Sequence, residues 1–307
     1  MMMGVRRTVA AAMVGAVATR SAYRLLSERT PGGPERWNRA NNRGREVTLL
    51  EGPAVAAGIA TAALLAPGIP GTVRLAGCGA ALGAGAVGLY DDLNERGKAK
   101  GFRGHLGALV RGEITTGAAK ILGIGATGLA AGALLRRDPL DRTLAGVVVA
   151  GTANVINLFD LRPGRATKAA LIAGATGAAR GNVFGAAALG AAAAMLPEDL
   201  GERAMLGDAG ANALGAALGV AAAAHASRSR LITAAAVLAA LTAASEKVSF
   251  TKVIAATPPL RFLDELGRIR PAQNLVPGSG SGLGEQSGAE QAGGRTVPPR
   301  PGELPHG

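Results

Sequence analysis

Long apolar stretches, separated by short charged segments, run through most of the chain. Nine of them can be traced, at residues 5–26, 47–66, 72–90, 114–135, 140–159, 167–181, 183–196, 209–226 and 231–245. A helix needs about 20 apolar residues to cross a bilayer, with a lower limit of about 17. The pattern therefore predicts an all-α, polytopic membrane bundle of about nine transmembrane helices.

Two places in this pattern stay open. Only Arg180, Gly181 and Asn182 separate the sixth stretch from the seventh, so the two stretches could also form one long helix. Arg20 interrupts the first stretch. A secretory signal would need a continuous apolar region and a small-residue cleavage site, and neither stands out here.

Composition favours a membrane protein over a soluble one. Of the 307 residues, 48% are hydrophobic but only 3% are aromatic, and Gly alone accounts for 47. A soluble core usually needs larger side chains, whereas small residues let membrane helices approach closely. The net charge is +12, yet only 18% of the residues are charged. That fraction is low for a basic protein that binds nucleic acid, so we expect no nucleic-acid partner.

The distribution of Lys and Arg predicts the orientation. One alternating set of connecting segments carries roughly twice as many basic residues as the other, and cytoplasmic loops hold such an excess. This set comprises residues 27–46, 91–113, 160–168, 197–208 and the region after 245. We therefore expect a multi-pass protein of the plasma membrane with these segments in the cytoplasm. Arg6 and Arg7 argue mildly against an external amino terminus.

The end of the chain has a different composition. Residues 277–282 alternate Gly with Ser after a Pro, and three more prolines lie between 298 and 301. Such a sequence cannot bury a hydrophobic core. We expect residues 1–270 to form the membrane-embedded domain and residues 271–307 to form a disordered cytoplasmic tail.

Polar clusters end the third and fifth stretches, on the predicted cytoplasmic side. Asp91 and Asp92 are adjacent, and neighbouring carboxylates at a membrane surface repel each other unless a cation or a proton compensates them. Asn154, Asn157 and Asp160 recur every three residues and share one slowly drifting helix face. Mg²⁺ with a phosphate substrate would compensate the acidic pair. A polar helix end and an interhelical hydrogen-bond network are the structural alternatives.

A third acidic position opens the eighth stretch, where Asp208 lies between Gly207 and Gly210. The glycines permit a tight turn, and a helix N-terminus suits a phosphate or a metal–phosphate complex. The alternative is that Asp208 only caps its helix.

Cations accompany the acids. Lys98, Lys100 and Arg103 lie in the loop after the acidic pair, where a diphosphate could bind, although solvated basic loops are common at the cytoplasmic side. Lys120 lies about two turns inside the fourth stretch. An ammonium there either reaches toward the surface or pairs with a carboxylate.

The order and spacing of these residues resemble the polyprenyl-phosphate N-acetylhexosamine-1-phosphate transferase family (glycosyltransferase family 4). Its members include phospho-MurNAc-pentapeptide translocase and the UDP-GlcNAc:undecaprenyl-phosphate transferases. The family carries Asp-Asp after a span, an Asn-x-x-Asn-x-x-Asp-Gly-x-Asp-Gly segment and a Gly-Asp-x-Gly-Ser-x-x-x-Gly segment. The corresponding positions here are 91–92, 154–164 and 207–215, and the resemblance covers roughly residues 40–267.

This resemblance implies a Mg²⁺-dependent transfer of a phospho-sugar from a UDP-sugar to a polyprenyl phosphate, with release of UMP, in cell-wall and envelope glycan synthesis. It implies that Asp91 deprotonates or orients the lipid phosphate, that Asp92 assists, and that Asp208 binds Mg²⁺ on the diphosphate. Asp160 is the third catalytic candidate. The candidates for substrate binding are Lys98, Lys100, Arg103, Lys120, Asn154, Asn157 and Arg162.

The chain departs from the family pattern in two places. Pro163 replaces the second Asp of the middle motif, and residues 258–267 contain no histidine where the family has a Pro-x-His-His-His type of motif. Arg162, Arg165 and Arg261 could replace the lost cationic contacts.

These departures leave alternatives open. One is a catalytically inactive relative that binds lipid phosphate or a partner and regulates envelope assembly. Another is a transporter, which is disfavoured because the carboxylates are predicted at one membrane face rather than at the midplane. The sequence also leaves a homodimer open.

Overall fold

The computed structural model describes residues 2–41, 43–94 and 116–269, and these residues are mostly helical. Lys98, Lys100, Arg103 and the predicted tail 271–307 lie outside them. The helices are α1 (Met2–Arg29), α2 (Glu51–Leu65), α3 (Gly71–Asn94), α4 (Thr116–Leu135), α5 (Pro139–Phe159), α6 (Arg165–Ala179), α7 (Val183–Leu200), α8 (Gly207–Ala223), α9 (Arg228–Ser245), α10 (Phe250–Ala256) and α11 (Pro258–Glu265).

The predicted apolar stretches coincide with helices α1 to α9. Four helices are long and apolar enough to cross a membrane by length and composition: α3, the part of α4 from Gly117, α5 and α7. A fifth span results if α9 and α10, which meet at a 91° bend, are counted together. The helical class is therefore confirmed and a membrane location is supported, while the number of nine spans stays a prediction.

Two local features of the structure were left open or were not predicted by the sequence. The structure has separate helices α6 and α7, because the chain turns at Gly181 with a φ of 90°. The sequence analysis also missed a short antiparallel hairpin formed by β1 (Asn38–Ala40) and β2 (Glu46–Thr48). Thr48 exchanges backbone hydrogen bonds with Arg203 and Met205, so the hairpin is anchored to the segment that leads into α8.

Helix α8 is the centre of the bundle, and nearly all of its residues are buried. It packs against α2, α3 and α5 through small residues. A Cβ on Gly88 of α3 would overlap the carbonyl of Asp208, and a Cβ on Gly215 would lie 2.6 Å from Cα of Ala153 in α5. These contacts explain the composition, since close backbone approach requires glycine.

Several arginines cap helices at the bundle end where α2 and α8 finish. Arg74 donates to the carbonyls of Ile69 and Ala66, at 3.0 and 2.8 Å. Arg136 donates to the carbonyl of Ala226 at 2.7 Å. Helix carboxyl ends leave carbonyls unsatisfied, and cationic side chains stabilise them. Arg74 and Arg136, two basic residues of the predicted external segments, therefore have structural partners.

Candidate functional site

The first turn of α8 rests on the acidic pair that ends α3. The Asp92 carboxylate accepts hydrogen bonds from the backbone N–H of Asp208, at 3.0 Å, and of Ala209, at 2.9 Å. A carboxylate at a helix N-terminus satisfies free N–H groups and interacts favourably with the helix dipole. Asp92 is thus a cap for α8, and it fixes Asp208 beside α3.

Gly207 makes this arrangement sterically accessible. Its φ is 60°, in the left-handed region that favours glycine. A Cβ at this position would lie 3.0 Å from Oδ2 of Asp92. The glycine before Asp208 is therefore required by the contact between α3 and α8.

Lys120 joins the two remaining carboxylates of this group. Its Nζ lies 3.2 Å from Oδ2 of Asp91 and forms an ion pair and hydrogen bond with Oδ2 of Asp208. The three side chains come from α3, α4 and α8 and are largely buried. Of the two alternatives left open for Lys120, the structure shows pairing with carboxylates.

Asp160 lies directly after α5 and approaches the same group. Burial raises the pKa of its carboxyl well above the usual range, and the charges of Asp199, Asp208 and Asp92 raise it further. The backbone N–H of Gly207 faces this carboxyl and partly offsets the effect. Asp91 and Asp208 thus pair with Lys120, Asp92 caps α8 beside them, and Asp160 lies close enough to feel the charges of Asp92 and Asp208; we call these four acids and Lys120 the acid site.

Mg²⁺ can be tested against this donor set. Among the residues that the structure describes, no three His, Cys, Asp or Glu side chains are arranged to surround a metal ion. Mg²⁺ commonly takes only one or two carboxylates, together with water and substrate phosphate. Asp91 and Asp208 face a common cation, Lys120, and present hard oxygen donors. The residues thus fit a substrate-bound Mg²⁺, and Mg²⁺ stays a prediction.

The other candidates from the sequence lie around the acid site. Asn154 donates to Oγ1 of Thr242 in α9 at 3.0 Å, which is the interhelical bond considered as an alternative. The Oδ1 of Asn157 is buried and has no hydrogen-bond partner among the described residues. Arg162 is 40% exposed, and its Nη1 lies 3.9 Å from Asp264.

An apolar groove begins at Lys120 and runs between α4, α5 and α9. Its volume is about 730 Å³, within the range of roughly 300–1,000 Å³ that ligand pockets occupy. We call it the α4–α5–α9 groove. Its walls include Ile121, Ile124, Gly125, Val147, Ala150 and Leu238. Its polar lining residues are Lys120, Asn154, Thr242, Glu246 and Lys247. Lys120 belongs to the acid site, so a ligand in the groove could have an apolar body and an anionic end.

A second cavity, of about 470 Å³, opens beside Asp160. Its lining includes the acids Asp160, Asp199 and Glu202, the base Arg162, and apolar residues such as Val47. The hairpin β1–β2 and the segment before α8 therefore enclose a space next to the acid site.

Sequence reasoning missed buried acids close to this cavity. Glu51 begins α2 and is fully buried, with no hydrogen-bond partner for either carboxylate oxygen within the described part of the chain. Asp199 and Asp160 are its principal acidic neighbours. Glu51 lies inside the second predicted stretch, and an acidic residue within an apolar stretch was the available signal.

The histidine-free segment 258–267 folds as α11 and packs on the start of α6. Asp264 accepts from Nε and Nη2 of Arg165, at 2.6 and 3.1 Å, and Lys168 donates to the Asp264 carbonyl at 2.6 Å. Arg165 is only 5% exposed. The expectation that Arg165 replaces a cationic substrate contact is therefore wrong, because this guanidinium is used by Asp264.

Comparison with models of protein families finds no family that matches this chain. A search of curated proteins likewise finds no significant match. The resemblance to a family therefore rests on the motif residues alone. Their arrangement in the fold is the basis for inferring the function.

Proposed function

We propose that this protein transfers a phospho-sugar from a UDP-sugar to a polyprenyl phosphate at the cytoplasmic face of the plasma membrane, in envelope glycan synthesis. One observation carries the proposal: Asp91 and Asp208 pair with Lys120 where an apolar groove begins, and Asp92 and Asp160 from two distant segments lie beside them. Four carboxylates and one ammonium carry a net charge of −3 when all are ionised. Such a group calls for further cations or protons, and the Mg²⁺ that accompanies a diphosphate substrate would supply positive charge.

In this proposal, the groove and the cavity beside Asp160 each hold one of the two substrates. The α4–α5–α9 groove would hold part of the polyprenyl chain, with the lipid phosphate near Lys120. The cavity next to Asp160 would hold the nucleotide of the donor. The diphosphate would then lie between them, at the acid site.

In the proposed reaction, Asp91 accepts the proton of the lipid phosphate or orients that phosphate. An oxygen of the lipid phosphate attacks the phosphorus that carries the sugar, and the bond from this phosphorus to the UMP oxygen breaks. The products are polyprenyl diphosphate-sugar and UMP. Lys120 stabilises the charge on the transferring phosphoryl group. Mg²⁺, held by Asp208, would neutralise charge on the diphosphate when bound.

The direct test supplies purified protein in detergent with Mg²⁺, undecaprenyl phosphate and a panel of radiolabelled UDP-sugars. The proposal expects a labelled lipid product and an equal amount of UMP with at least one donor. Absence of product with every donor, together with saturable lipid binding, would contradict the transferase and support a binding protein.

That second candidate has one observation in its favour. The segment that should carry the histidine motif is held by a structural ion pair between Asp264 and Arg165 instead. A protein that binds lipid phosphate without transferring sugar would still use the groove and Lys120.

The groove assignment predicts the effect of filling it. Gly125 lines the groove, and a Cβ there would meet no atom within 4 Å. We expect Gly125→Leu to raise the KM for polyprenyl phosphate about tenfold, because the leucine takes space that the lipid chain would use. Steady-state kinetics with varied lipid measure this. The control is Gly79→Leu at an open, exposed position of α3, and equal KM values in both variants would remove the groove from the proposal.

A further inference from the structure

A separate cavity lies at the opposite end of the bundle, where α6 and α8 end and α7 and α9 begin. Its volume is about 530 Å³. The residues of its lining that matter here are Val73, Arg180, Phe184, His225, Arg230 and Leu231; we call it the far-end cavity. Along α8, Ala221 in its lining is about 20 Å from Asp208, at a rise of 1.5 Å per residue. The cavity is therefore distinct from the acid site.

The charged residues that line the far-end cavity are all basic. Arg180, Arg230 and His225 line it, and no Asp or Glu is among its lining residues. Within the described ranges, neither Arg180 nor Arg230 forms an ion pair. Their neighbour Arg228, by contrast, pairs with Asp138 and Asp141, at 2.9 and 2.6 Å. Both arginines are exposed, so their guanidiniums are available to an anion from outside the chain.

Backbone groups add to the same potential. Helix α7 begins after its cap Asn182, and α9 begins after its cap Ser227. Both N-termini are at this cavity, and helix N-termini carry partial positive charge.

The apolar part of the lining decides the kind of anion. Most lining residues are apolar, and they include the exposed Ala222 and the partly exposed Val183 and Ala234 beside the buried Val73, Phe184 and Leu231. A free phosphate would leave this surface without a partner, whereas an acyl chain would cover it. The lining matches a molecule with an anionic head and an apolar chain.

We propose that the far-end cavity binds an anionic phospholipid, with its phosphate at Arg180 and Arg230 and an acyl chain against Val73, Phe184 and Leu231. The site is in the leaflet opposite to the acid site. It requires only that the bundle is embedded in a membrane, and it is independent of the transfer reaction.

Native mass spectrometry of the full chain, released from nanodiscs of phosphatidylcholine with phosphatidylglycerol, tests this proposal. We expect the wild type to retain phosphatidylglycerol at least about tenfold over its share of the bilayer. The double variant Arg180→Gln/Arg230→Gln should lose this preference. The matched control is Arg137→Gln, an exposed arginine in the segment between α4 and α5 that does not line the cavity.

A second variant separates loss of binding from loss of fold. Ala222 lines the cavity and is exposed, so Ala222→Phe should narrow the cavity while both arginines remain. Loss of retention in this variant, at an unchanged Tm, supports the site. Equal retention in wild type, double variant and Ala222→Phe would overturn the proposal. So would displacement of the lipid by millimolar inorganic phosphate, because that result would indicate a site for the free anion.

Discussion

Asp208→Asn is expected to lower the rate of product formation about 10²–10³-fold, the size of effect seen when one preorganised electrostatic group is removed from an active site. The substitution removes the charge that faces Lys120 and the predicted metal ligand. It keeps the backbone N–H that Asp92 accepts, so the start of α8 should not move. Initial rates with the active UDP-sugar, together with Tm in detergent, measure the effect.

Asp141→Asn is the control for this prediction. Asp141 is also an acid of a helix first turn, but it pairs with Arg228 near the start of α9 and not with Lys120. We expect the rate of product formation by Asp141→Asn to stay within about twofold of the wild-type rate. Retention of more than a tenth of the activity by Asp208→Asn, in a protein that does transfer sugar, would mean that the acid site is not the reaction centre.

Lys120→Gln extends the test to the partner of Asp208. The two side chains contact each other. The losses of activity in the two single variants should therefore not add in the double variant, whereas the effects of substitutions at independent sites do add. Additive losses would indicate that Lys120 and Asp208 act in separate steps.

The largest effect on stability is expected from Asp264→Ala, which should lower the free energy of unfolding by about 3–5 kcal/mol. Asp264 is 5% exposed on its side chain and holds Arg165, and Arg268 donates to it at 3.2 Å. The variant would leave the buried guanidinium of Arg165 without a countercharge, with Thr251 as its remaining side-chain hydrogen-bond partner. Denaturant unfolding in detergent measures the change, and hydrogen exchange should show that α11 is released from α6.

Two further variants define this result. Glu265→Gln changes the exposed neighbour of Asp264 and should alter the free energy by less than about 0.5 kcal/mol. Asp264→Leu combined with Arg165→Met removes both charges and should recover much of the loss. A loss below 1 kcal/mol in Asp264→Ala would show that α11 is not held by this ion pair.

Because of the Asp264 carboxylate, the free energy of unfolding depends on pH. Burial raises the pKa of Asp264, but hydrogen bonding to Arg165 and the charges of Arg165, Arg268 and Lys168 outweigh burial, so its pKa is lowered from 3.8. A group with a lowered folded-state pKa stabilises the fold above its unfolded pKa. The contribution of Asp264 is therefore complete above about pH 4 to 5 and is lost as the pH falls through the folded-state value.

The candidate site was predictable only in part. The spacing of Asn154, Asn157 and Asp160 correctly placed three polar groups near one end of a helix. It did not show that Asn154 bonds to Thr242 while Asp160, after the helix end, turns toward α8. Those partners are about 50 to 90 residues away in sequence, so the local pattern contains no signal for them.

The hairpin and Glu51 were missed for a similar reason. Residues 38–48 are rich in charge and have too little alternation to predict strands. Their pairing is completed by the bonds from Thr48 to Arg203 and Met205, which exist only once α7 and α8 are in place. Glu51 was counted as part of an apolar stretch. Its burial depends on the packing of α2 against α8, which the local sequence does not show.

The sequence by itself determined approximately where the nine helices α1 to α9 lie. Apolar stretches bounded by charge have to satisfy their own backbone groups when water is excluded, and a helix does so within one segment. The abundance of Gly and Ala likewise determined that these helices could pack closely.

Only the tertiary structure decided which side chains face one another. Asp91 and Asp92 are adjacent and chemically identical, yet Asp91 contacts Lys120 and Asp92 caps α8. Successive residues of a helix point about 100° apart, so the two roles depend on where α4 and α8 lie around α3. Those positions are set by close contacts such as that of Gly88 with Asp208, which form between segments far apart in the chain.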